Sequence, residues 1–146
     1  MDYPRLSKEI LAKYRVEPEK SKSKLYTIED HSDNLQGDIL DLFNLFRNRL
    51  LNLDPTVREE YKKLYIAYKT STNFVDIEPQ KARLRLTLNL GFEEINDPKG
   101  LCKNVADLGR WGNGDVEVGL DSADQMDDIM YLVQQSFDKH TEDMIG

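Results

Sequence analysis

The chain has 146 residues, 39% apolar and 32% charged, the composition of one modest soluble domain rather than of a disordered tail. No apolar run approaches the ~20 residues of a membrane helix, nothing apolar follows Met1-Asp2-Tyr3-Pro4-Arg5 as a signal peptide requires, and the lone Cys102 excludes an internal disulfide and a thiolate cluster, so a reducing cytoplasmic setting is expected. The net charge of −7 is uneven, at −1 over residues 1–57, +3 over 58–90 and −9 over 91–146, which excludes tight nonspecific nucleic-acid binding by the whole surface and leaves only the middle third as a basic face.

Residues 6–14 read as a short amphipathic helix with Leu6, Ile10 and Tyr14 near one face. The stretch from Glu17 to Lys24 has no apolar residue and reads as a linker. The expected organisation is therefore an extension over 1–33 and a single α+β domain over 34–146. From Asn34 to Leu53, Ile39, Phe43, Phe46 and Leu50 recur at helical steps, and Leu40, Leu42, Leu45 and Leu51 widen the stripe, which predicts a helix buried on much of its surface. Asp54-Pro55 ends it, and a short helical turn is expected over Thr56–Tyr61.

Strands follow. Leu64, Ile66 and Tyr68 alternate with Tyr65, Ala67 and Lys69; Asn73–Glu78 places Val75 and Ile77 on one face; Leu84, Leu86, Leu88 and Leu90 alternate with Arg83, Arg85, Thr87 and Asn89. Leucines on one side and arginines on the other indicate an antiparallel sheet with one wet face. After the Asn96–Gly100 loop a short helical turn is expected at Leu101–Val105. A glycine-dense turn over 109–114 leads to a fourth strand with Val116, Val118 and Leu120 inward and Asp115 and Glu117 away from the core. Ser122 and Gln125 form a capping box for a last helix, whose Met126, Ile129, Met130, Val133 and Phe137 share one face, with Lys139 and His140 complementing its C-terminal dipole. The fold class is thus α+β, about four antiparallel strands packed on two long helices.

The chemistry-bearing residues form no recognisable catalytic or metal site. His31 and His140 lack ligand spacing and read as a linker residue and a surface residue. Asp76-Ile77-Glu78 with Lys81 has the acid, acid, lysine order of magnesium-dependent nucleases, but Pro79 puts the lysine in a turn. Cys102 has no base nearby and reads as an inert thiol. The glycines of 109–114 precede a strand rather than a helix, so no phosphate loop is built. No cofactor is indicated. There remains a polar sheet face on which Lys69, Arg83 and Arg85 lie opposite Asp76, Glu78, Asp115 and Glu117. Cross-strand ion pairs account for that pattern. With Lys81, Arg110, Asn113 and a loop-presented Trp111 able to stack on a base, the same residues make a candidate nucleic-acid face.

Several separated motifs, Tyr65-Ile66-Ala67-Tyr68-Lys69, Asn73-Phe74-Val75-Asp76, Pro79-Gln80-Lys81, Leu84-Arg85-Leu86, Asp97-Pro98-Lys99-Gly100 and the run from Gly109 to Val118, occur in the order found in a C-terminal bacterial domain of unknown function, which the chain resembles from Leu35 to Lys139. Members of that family follow the NTP-dependent and nuclease domains of modification-dependent (type IV) restriction endonucleases, follow restriction-endonuclease-like domains, or are described as predicted transport proteins. The resemblance implies a noncatalytic accessory module of a restriction or defence protein. Its expected partners are DNA or a modified base, through Lys69, Lys81, Arg83, Arg85, Arg110, Trp111 and Asn113, or else the nuclease and NTPase domains through protein–protein docking or dimerisation. The family supplies no catalytic residues to carry over.

Overall fold

A computed structural model describes residues 25–106 and 114–145, with side chains to 141. The element order is a 3-10 turn (Ile28–His31), α1 (Gly37–Leu51), β1 (Arg58–Tyr61), β2 (Ile66–Lys69), β3 (Asn73–Pro79), β4 (Leu84–Leu88), a 3-10 turn (Phe92–Glu94), β5 (Lys103–Asn104), β6 (Val116–Leu120) and a 3-10 turn (Ala123–Gln125) running into α2 (Met126–Ile145). The strands make one antiparallel sheet in the order β1-β2-β3-β4-β6-β5. The α+β class, the antiparallel sheet and the two helices agree with the sequence reading. The strand number does not: the described residues form six, because 58–61 and 103–104 are strands instead of helical turns.

Register explains the core. Ile66 and Tyr68 sit opposite Ile77 and Val75, these opposite Leu86 and Leu88, and these opposite Val118 and Val116. Side-chain alternation puts all of them on one face, where they are buried with Ile39, Leu42, Phe43, Phe46 and Leu50 of α1 and Ile129, Val133 and Phe137 of α2. Phe74 meets Phe137 edge-to-face with centroids 5.2 Å apart, and the buried Ser136 hydroxyl donates to the Phe74 carbonyl at 2.6 Å.

Local chemistry sets the helix ends. Asp54 closes the exit of α1 by accepting from the Thr56 amide at 2.9 Å and hydroxyl at 2.8 Å. At the start of α2, the Ser122 hydroxyl accepts from the Asp124 amide at 3.2 Å, and Gln125 accepts from the amides of Asp121 and Ser122 at 2.8 and 3.2 Å. This is the predicted capping box. Ser122→Ala is expected to cost about 1 kcal/mol in urea unfolding, since one amide of the first turn loses its acceptor; a change under about 0.3 kcal/mol would show the cap to be dispensable.

Both histidines differ from their sequence assignments. His31 is buried and its Nε2 donates to the Lys62 carbonyl at 2.9 Å, tying the first 3-10 turn to the β1–β2 connection. His140 is buried rather than on the surface, its Nε2 donating to the Asn89 carbonyl at 2.9 Å, while α2 runs on beyond it to Ile145. Each ring fills a place where a strand-end carbonyl needs a donor.

Candidate interaction surfaces

The second face of the sheet carries the polar residues singled out from sequence. Ala67, Asp76, Thr87 and Glu117 line up across β2, β3, β4 and β6. This face is not wet throughout, because all four are buried. Asn73 donates to Asp76 Oδ1 at 2.9 Å. Around this dry centre lies a rim of ion pairs. Arg85 reaches Glu117 at 3.1 Å and Glu78 at 3.3 Å, Arg83 reaches the other Glu117 oxygen at 3.3 Å, and Lys69 meets Glu60 at 2.9 Å with Lys62 at 3.1 Å on its second oxygen. The two lysines hold the Glu60 carboxyl below its ordinary range, Lys69 first. Gly119 has a steric role, since a Cβ there would stand 2.7 Å from Arg83 Nη1. The missing side chain lets the guanidinium lie across β6.

Three of the proposed nucleic-acid contacts, Lys69, Arg83 and Arg85, are therefore brought together on this face with their charges matched by carboxylates. Lys81 sits apart in the exposed β3–β4 turn and makes no ion pair with a described residue. Arg110, Trp111 and Asn113 lie outside the described residues. Asp76 and Glu78 share a face, but Glu78 faces Arg85 and Lys81 is past Pro79. Among the described residues no group of three or more His, Cys, Asp or Glu is placed to hold a metal ion. Burial, then the Asp97 carboxylate beside it, pushes the Cys102 thiol up to about 12, so it stays protonated at neutral pH.

Sequence reasoning missed two features. One is a partly buried polar lock between α1 and the sheet edge. Arg47 grips Glu59 with Nε and Nη2 at 2.6 and 3.0 Å, and the wholly buried Tyr68 donates its phenol to the same carboxylate at 2.6 Å. Burial and then the Glu59 carboxylate raise the Tyr68 pKa far above its ordinary range. The other is a groove between α1 and the chain entering α2. It encloses about 270 Å³ between Ile39, Leu42, Leu45 and Ala123, with Asp38, Asp41 and Asp121 at its rim. A second hollow of about 220 Å³ continues it past Leu45 and Ala123 to Arg49 and Met126. Leu45, predicted as part of the buried stripe, is 52% exposed at the junction of the two. Eight apolar positions on α1 are more than one sheet face can cover, and that excess was the available signal.

No helix among the described residues is long and apolar enough to cross a membrane. No solved structure matches the chain. A protein of Haemophilus influenzae described as an uncharacterized protein is 40% identical over 113 residues, which is 77% of this chain and 37% of that protein. The chain thus spans little more than a third of that relative's length. The profile of a domain of unknown function, DUF5655, matches residues 28–140, the stretch that holds the whole sheet and α1, and the chain belongs to that family.

Proposed function

We propose that this domain is a noncatalytic accessory module of a larger protein, of the restriction or defence kind its sequence resembles, and that it works by docking on protein neighbours. The observation that carries this reading is the state of the cationic face. Arg83, Arg85 and Lys69 are each engaged by Glu117, Glu78 or Glu60, whereas phosphate binding depends on clustered cations whose charge is not already matched. An overall charge of −7 disfavours a polyanion further. The bacterial relative, in which the matched segment is 37% of the length, supplies a chain in which such a module has neighbours to dock on.

The test separates docking from DNA contact. The matched segment of the Haemophilus relative and the remainder of that protein are produced as two polypeptides and mixed in a calorimeter. In parallel, the present chain is titrated into labelled duplexes, unmodified and base-modified, at ~50 and ~200 mM salt. Docking predicts association of the two pieces with a Kd in the micromolar range or tighter, and no duplex binding below about 10 μM. Duplex binding that weakens steeply with salt, with no association of the pieces, replaces docking by DNA recognition.

A further inference from the structure

We infer that the groove between α1 and the start of α2 is the docking surface, and that its occupant is a cationic amphipathic helix of a protein partner. The inference deepens the docking reading and rests on it. The groove's lining combines the buried Ile39 and Leu42 and the exposed Leu45 and Ala123 with Ser122 and the exposed Asp38, Asp41 and Asp121. Arg49, in the adjoining hollow, is held by Asp127 at 3.0 Å, so the lining presents net negative charge to whatever enters. An apolar trough edged by one sign of charge is complementary to a helix with an apolar stripe flanked by lysine or arginine. Length agrees as well. From Asp38 to Arg49 α1 advances about 16 Å, the length of a three-turn helix.

Two alternatives are less well matched. A second copy of the chain would bring its own aspartates against these at a two-fold interface, where like charges repel. A phosphate backbone would meet the same repulsion. Leu45 supplies the remaining argument. It is half-exposed on a helix whose other large apolar side chains are mostly in the core, and it stands where the two hollows join, the position of a knob between an incoming helix's side chains.

The probe is a synthetic helical peptide of about 15 residues, about 22 Å and so long enough to span the groove, with a leucine stripe flanked by lysines. A second peptide carries glutamate in place of every lysine. Each is titrated into the isotope-labelled full chain, and the amide shifts are mapped. The lysine peptide is expected to shift α1 and residues 121–126, to bind at least tenfold more tightly than the glutamate peptide, and to lose at least tenfold in affinity to the Asp38→Lys/Asp41→Lys double variant and to Leu45→Ser. All three residues are exposed, and unchanged far-ultraviolet dichroism would establish that the variants are folded.

Equal binding of both peptides, shifts confined to the sheet, or full affinity in the variants would overturn the groove assignment. So would a dimer by light scattering that Leu45→Ser dissociates, which would make the groove a self-association surface. Association of the two Haemophilus pieces alongside any of these results would leave docking standing and the groove wrong. Failure of the pieces to associate would remove docking itself, whatever the peptides do.

Discussion

Gly114→Ala is expected to destabilise the domain by about 3 kcal/mol or more, lowering the midpoint of thermal unfolding by roughly 10 °C. Gly114 has φ +121°, a backbone conformation open to glycine and closed to side chains. A Cβ there would land on the Leu88 carbonyl oxygen and 2.6 Å from Asn89 Cα. Both obstacles are backbone, so no rotamer change relieves the clash. The neighbouring Asp115 amide donates to the Leu90 carbonyl at 3.0 Å and its carbonyl accepts from Val105 at 2.8 Å, so a displaced strand loses these bonds as well as the β4–β6 register. Calorimetry gives the magnitude. Hydrogen exchange should show β6 and β5 affected before β2 and β3, and a variant within about 0.5 kcal/mol of the parent would show that this backbone yields easily.

Glu59→Ala is expected to cost about 2–4 kcal/mol, because two partners are stranded at once. The buried Tyr68 phenol loses its acceptor, and Arg47 loses both oxygens that hold α1 to β1. Tyr68→Phe keeps the Arg47–Glu59 pair and should cost only about 1 kcal/mol. If the two substitutions cost the same, the ion pair contributes nothing measurable.

The same carboxylate sets an acid limit. Burial pushes the Glu59 pKa up, but the hydrogen bonds from Arg47 and Tyr68, the Arg47 charge and a contribution from Tyr61 together more than offset this, and the net result lies below the ordinary 4.5. A carboxyl lowered in the folded state stabilises fully above its unfolded value, and that contribution drains away as pH falls through the folded one. Glu60, held by Lys69 and Lys62, and Glu94, held by Lys139 and the Gly91 amide, shift the same way. Stability should be level above about pH 5 and fall below about pH 4, with a shallower fall in Glu59→Ala. An identical acid limb in that variant would place the titration elsewhere.

What could be read from sequence follows from where the information sits. β2, β3, β4, β6 and α2 announce themselves through periodicity and caps, which are local. The Arg85 pairs with Glu78 and Glu117 were legible for a related reason: strand parity alone puts those residues on one face. β1 was not legible. Arg58-Glu59-Glu60-Tyr61 has no apolar alternation, and the inward turn of Glu59 depends on Arg47, 12 residues away, and Tyr68, 9 residues away. The burial of His31 and His140 has the same origin, since their partner carbonyls are 31 and 51 residues distant. Leu45 was hidden differently: within the stripe it looks like core, and only the placement of α1 beside residues 121–126 leaves it outside.

The arrangement of β1 also bears on how the domain keeps company with others. A sheet that ends in an unpaired strand offers its backbone to any passing extended segment, and polymerisation is the hazard. Here one border is four residues long, carries Arg58 and Glu60 outward and turns Glu59 inward, and the other border is the two-residue β5. Short, charged margins of this kind discourage strand addition. Association by extension of the sheet is thereby disfavoured, and the helices and sheet faces are what the domain presents to its surroundings.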